Sequence, residues 1–129
     1  MKIKVTTIYV DDQDKALAFY TGTLGFTKKN DFGNGGYRWL TVVPAEDPEG
    51  VELQLASNAN PAGKAFQQAT FEQGQPAIQF FTDDVRADCA AIKAKGGTLR
   101  MEPTDVTAST IAQLDDGCGN IIQLTQLNW

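Results

Sequence analysis

The chain has 129 residues, 42% hydrophobic and 21% charged, which is the make-up of one globular domain with enough apolar material for a real core. A net charge of −5 argues against a nucleic-acid partner, whose phosphates need cations, and no apolar run reaches the ~18–20 residues of a membrane span. Histidine is absent altogether, so the commonest metal-ligand and near-neutral base side chain is missing from any site the fold builds.

Residues 3–10, IKVTTIYV, are β-branched and aromatic and predict a strand. Asp11 or Asp12 then caps a helix on which Ala16, Leu17, Phe19, Tyr20 and Leu24 recur at helical spacing, and Gly25 stops it. A short strand over 26–30 follows, then a glycine-rich turn over 31–36, a strand over 37–43, an acidic loop over 45–50 and a returning strand over 51–56. The run Gly33–Gly36 lacks the order of a phosphate loop and enters a strand, so it is a turn. Residues 57–75 form a linker in which Pro61 opens a helix through Phe71. The second half repeats the first: strand 77–82, helix 84–95, strand 98–102, a loop around 103–107, then strands 109–114 and 120–126. The start MKIKVTTIYV is too short and too β-branched for a signal peptide, and Cys89 and Cys118 belong to no disulfide framework. Reduced thiols and a cytoplasmic location are expected.

The repetition extends to marker residues. Asp11-Asp12 and Gly25 recur as Asp83-Asp84 and Gly97, and a glycine precedes Gln-Leu by four positions at Gly50 to Gln54 and again at Gly119 to Gln123. The expected fold is α+β: two tandem βαβββ modules (about 1–56 and 76–129, joined by 57–75) forming a curved mixed sheet with a central cleft. Alternation along each strand assigns its faces. Leu40, Val42, Leu53, Leu55, Ile78, Phe80, Ile122 and Leu124 turn to the core. Tyr37, Trp39, Thr41, Glu52, Gln54, Gln79, Phe81, Gln123 and Thr125 turn the other way, a polar and aromatic surface suited to a small molecule.

The segments VDDQDKALAFYTGTLGF (10–26), TDDVRADCAAIKAKGG (82–97) and DGCGNIIQL (116–124) resemble the vicinal oxygen chelate superfamily. That superfamily includes glyoxalase I, extradiol dioxygenases, fosfomycin-resistance thiol transferases and bleomycin-resistance proteins. The resemblance spans nearly the whole chain and implies the fold more specifically than the function. Its metal-dependent members hold a divalent ion with His, Gln and Glu on the concave face, two from each half. By that resemblance the four positions here are Val5, Gln54, Ala77 and Gln123. Two are hydrocarbons with no lone pair, and neutral amides alone hold a divalent ion weakly. A set of Glu52, Gln54 and Gln123 is the one remaining way to assemble ligands. No metal and no other cofactor are therefore expected.

The groups left for acid–base work are Glu52, Tyr9, Tyr37, Cys118 and the Asp residues, and none forms a recognisable nucleophile–base pair, so no catalytic residue is assigned. Glu52 serves as a base only if burial raises its pKa, and otherwise pairs with a neighbour. Tyr37 and Trp39 offer stacking surfaces for a planar or cationic ligand, or pack within the protein. Gln54, Gln79 and Gln123 offer hydrogen bonds to a ligand, or satisfy one another. Tyr9 and Phe81 are pocket walls or core. Arg38 and Trp129 are expected on the surface, available to a subunit contact. The expected function is metal-independent binding of a small aromatic or cationic molecule, as in the bleomycin-resistance proteins, and the resemblance implies a homodimer with pockets near its interface. The alternatives are a glyoxalase-like lyase, isomerase or dioxygenase relative with an atypical site, and an interaction module with a vestigial cleft.

Overall fold

In a computed structural model describing residues 1–129, the elements in chain order are β1 (Val5–Val10), α1 (Gln13–Ala18), β2 (Thr27–Asn34), β3 (Tyr37–Val43), β4 (Glu52–Ser57), α2 (Pro61–Glu72), β5 (Ile78–Phe81), α3 (Val85–Ala94), β6 (Thr98–Asp105), β7 (Ser109–Asp115) and β8 (Ile121–Leu127). The two aspartate pairs start helices by the same chemistry. Asp12 accepts a hydrogen bond from the Lys15 N–H and Asp84 from the Ala87 N–H, each at 3.0 Å, satisfying a donor that the first helical turn leaves free. Helix α1 runs on as one π-helical turn, Phe19–Thr23.

The strands form two four-stranded sheets of identical design, β1-β4-β3-β2 and β5-β8-β7-β6. The first strand of each module lies parallel to its last, with Thr7 beside Gln54 and Gln79 beside Gln123; the other neighbours are antiparallel. The duplication in the sequence is thus a duplication of topology.

Two strands run further than their sequences suggest. β2 continues through Asp31 and Phe32 to Asn34, because the hairpin is closed by Gly35 and Gly36 alone, at φ +60° and +84°. A two-residue turn with both residues at positive φ matches the twist of paired strands, so the ladder reaches the glycines. β6 extends past Glu102 through Pro103 to Asp105, with register shifts between Leu99 and Met101 and between Met101 and Thr104. It is an edge strand, where a proline's missing donor leaves no ladder bond broken.

One core serves both modules. It joins Ile8, Val10, Leu40, Val42, Leu53 and Leu55 of the first sheet to Ala112, Leu114, Ile122 and Leu124 of the second, through Ala16 and Tyr20 on one side and Val85, Cys89 and Ile92 on the other. Phe26 of the first module meets Phe80 of the second edge-to-face, with ring centroids 5.0 Å apart. The modules therefore pack through their helix-covered faces, and their polar faces are turned away from the shared core.

Helix α2 ties the modules together. Asn60 caps it and Pro61 occupies its first turn, where a missing N–H costs nothing. It lies so close to β1 that a Cβ on Gly63 would stand 2.7 Å from the Tyr9 ring. Gly63→Ala is accordingly expected to lower stability by about 1–3 kcal/mol, read from chemical unfolding, although alanine favours helix elsewhere.

Candidate functional site

On the polar face of the first sheet, strand alternation brings Tyr37, Trp39 and Thr41 of β3 beside Glu52 and Gln54 of β4 and Thr7 of β1. Gln54 is buried. Its side-chain oxygen accepts from the Thr7 hydroxyl at 2.8 Å and its amide donates to the Tyr37 hydroxyl oxygen at 3.1 Å. Glu52 is buried beside it, and one carboxylate oxygen accepts from the Thr41 hydroxyl at 2.7 Å and the Asn30 amide at 2.8 Å. Its other oxygen stands 4.0 Å from the Lys4 ammonium. The Thr41 hydrogen bond, with help from Asn30, Lys4 and Lys29, outweighs burial and holds the Glu52 carboxyl below its ordinary range. A raised pKa was the condition for Glu52 to serve as a general base, and this environment acts the other way. Glu52 is a fixed anion on this face.

The polar face of the second sheet carries no charge at its centre. Gln123 donates to the Gln79 side-chain oxygen at 3.1 Å and accepts from the Gln113 amide at 3.2 Å, while the Thr125 hydroxyl donates to Gln79 at 2.9 Å. These amides satisfy one another, with Gln79 exposed and Gln113 and Gln123 half-buried.

The expected site residues thus fall into distinct places. Tyr37, Trp39, Glu52 and Gln54 share one polar face; Gln79 and Gln123 share the other. Tyr9 is on the first face, but α2 lies on its ring, so it packs the linker helix. Phe81 ends β5 and lines a groove between the modules, where Trp129 also sits. Arg38 is not a free surface cation: it forks onto both carboxylate oxygens of Asp31 at 2.8 and 2.9 Å and onto Asp14 at 2.6 Å, pinning α1 to β2. The sequence pattern does not single out Thr7, Asn30 and Gln113. Their signal is present only in register: each lies opposite, or one strand from, a residue that the alternation does single out.

The four positions at which the resemblance places a metal fit a divalent ion poorly in this chain. Val5 and Ala77 have no donor atom, and both amides, Gln54 and Gln123, already hydrogen-bond within their own sheets. No group of three His, Cys, Asp or Glu side chains is placed so that it could hold a metal ion.

The chain is similar to known proteins in sequence and in fold. A family model described as Glyoxalase/Bleomycin resistance protein/Dioxygenase superfamily matches residues 2–124. YurT of Bacillus subtilis (strain 168), an uncharacterized protein, is 48% identical over 126 residues, covering 98% of this chain and 99% of its own. A probable lactoylglutathione lyase of Vibrio cholerae serotype O1 is 30% identical over 131 residues, covering 97% of this chain and 90% of its own. Among solved structures, TnmS3, an antibiotic binding protein from Streptomyces sp. CB03234, superposes with a TM-score of 0.78 at 28% identity, covering 98% of this chain and 96% of its own.

Proposed function

The chain belongs to the glyoxalase/bleomycin resistance protein/dioxygenase superfamily, and on that footing we propose that it is a metal-independent binding protein for a small aromatic or cationic molecule. The observation that carries the reading is the chemistry of the two polar faces. Where metal-dependent relatives need donors, this chain has two hydrocarbons and two amides engaged with neighbours, beside stacking surfaces at Tyr37 and Trp39. TnmS3 is an antibiotic binding protein, which supports the same class of function.

The polar faces point away from the shared core, so one chain does not enclose a chamber between them. A second copy does so when its second-sheet face meets the first-sheet face of its partner. The protein is then a homodimer whose pockets each have an aromatic, anionic wall with Tyr37, Trp39 and Glu52 and an amide wall with Gln79 and Gln123. Exposed Phe32 and Tyr37, at 63% and 57%, are apolar surface of the kind such an interface covers.

Metal analysis of protein purified without chelators, together with a thermal-shift screen of antibiotics and aromatic metabolites, tests the reading. Expected are substoichiometric metal, a mass in sedimentation of twice 14.0 kDa, and a ligand whose stabilisation disappears in Trp39→Ala. Stoichiometric Ni, Zn, Mn or Fe that is lost in Gln54→Ala or Gln123→Ala would sink it. That result favours the second reading, a glyoxalase-like lyase, isomerase or dioxygenase relative, which the Vibrio protein's identity supports. In that case Glu52 contributes its second carboxylate oxygen as a ligand.

A further inference from the structure

We propose that the groove between the two modules, on their helix-covered side, is a separate binding site for a small organic cation with an apolar body, of the arylalkylammonium type. The groove encloses about 930 Å³. That is within the range of small-molecule sites, about 300–1,000 Å³. It is bounded by the end of the π-helical turn and the segment leading into β2, the loop after β3, the ends of β5 and β8, and one flank of α3. None of Gln54, Gln79 and Gln123 lines it, so it is distinct from the polar faces.

Its chemistry changes with depth. The floor is the junction of the shared core, where Phe26 meets Phe80 beside Ile92 and Leu124. A ligand's apolar body placed there gains on the order of 25 cal/mol for each Å² removed from water. At the mouth stand Phe81 and Trp129, 63% and 84% exposed, offering ring faces with negative quadrupole potential.

The rim fixes the sign of the ligand. Four carboxylates line the groove, Glu46, Asp83, Asp84 and Asp88, against one ammonium, Lys95. None of the four is in an ion pair. Asp84 caps α3 and Asp88 accepts from the Thr82 hydroxyl, whereas Glu46 and Asp83 make no side-chain hydrogen bond. Exposed carboxylates bind a lone cation weakly in water. An ammonium held against an aromatic face, with its apolar tail on the Phe26–Phe80 floor, is a different case: the tail localises it, and ring and carboxylates act on it together. An anion of the same shape is repelled.

The test uses Trp39→Phe protein, in which Trp129 is the sole tryptophan reporter, titrated with benzyltrimethylammonium and separately with benzenesulfonate. Expected is a saturable change in Trp129 emission with the cation alone, weakened by salt. Glu46→Gln/Asp83→Asn on that background should weaken it about tenfold, and Gln123→Ala should leave it unchanged. Both acids are exposed and make no side-chain bonds, so the double variant keeps the fold. Absence of saturation, equal response to the sulfonate, or an unaltered titration in the double variant overturns the proposal. Trp129 emission that shifts on simple dilution also overturns it, because a second copy then covers the groove.

Discussion

Asp116→Ala is expected to remove about 3–5 kcal/mol of stability. The Asp116 carboxylate is 1% exposed in the turn between β7 and β8 and accepts four hydrogen bonds. They come from the Tyr20 hydroxyl at 2.8 Å, the Cys118 N–H at 2.7 Å, the Asn120 N–H at 3.0 Å and the Asn120 side-chain amide at 2.8 Å. Alanine leaves the Tyr20 hydroxyl and the Cys118 and Asn120 N–H groups without an acceptor, while the Asn120 side-chain amide keeps the Tyr9 carbonyl at 2.7 Å. Tyr20 is itself wholly buried in the shared core. The turn and the junction between modules should loosen together, seen as a lower urea midpoint.

The same residue gives a pH signature. Burial raises the Asp116 pKa above its ordinary value, opposed in part by the hydrogen bonds from Asn120, Tyr20 and the backbone. Between the unfolded and folded pKa the folded chain then holds more protons. Stability from Asp116 is therefore full below the ordinary carboxylate range and falls as pH rises through the raised value. Glu52, Asp31 and Asp105 act oppositely, since their lowered pKa values give stability that is lost as pH falls. Subtracting the Asp116→Asn curve from that of the natural chain removes these common contributions. The difference should decline from pH 3 upward, roughly across the carboxylate range, before levelling; a flat difference would mean that Asp116 protonation is not linked to folding.

Gln67→Glu is expected to be more destabilising than Gln67→Ala, and to cost about 3 kcal/mol or more. The Gln67 amide donates to the Tyr9 carbonyl at 2.9 Å, the Cys118 carbonyl at 3.0 Å and the Asn120 side-chain oxygen at 3.3 Å, and its own oxygen accepts from Asn58 at 2.8 Å. A carboxylate there turns a donor facing three oxygens into an acceptor facing three oxygens, within a 6% exposed site. Alanine removes the amide without adding a repulsion, and the Tyr9 carbonyl keeps the Asn120 side-chain amide and the Cys118 carbonyl the Asp11 N–H. If thermal unfolding ranks alanine below glutamate, α2 is not held to both modules by this amide.

The importance of Gln67 is not legible in the chain. It sits mid-way along a linker helix with no pattern to mark it, and its partners lie 51 and 58 residues away in sequence. Tyr9 illustrates the converse. Its strand and face follow from alternation, yet whether that face is open or covered at Tyr9 depends on where α2 comes to rest. Arg38 is similar: its three bonds join Asp14 and Asp31, which only the folding of α1 against β2 brings together.

What the sequence determined by itself is local or periodic. Capping aspartates, helical spacing and strand alternation each act over a few residues and occur once in each half, so they set the βαβββ elements twice and the inward and outward faces; composition alone removes histidine from every site. The tertiary structure alone decided which faces meet. Burial of apolar surface is non-directional, so the two apolar faces satisfy it by sharing one core through their helices. That packing turns the amide-bearing faces outward and opens the acidic, aromatic groove at the junction. It also sets the state of Glu52, which depends on hydrogen bonds from Asn30 and Thr41, residues fixed in place by strand register.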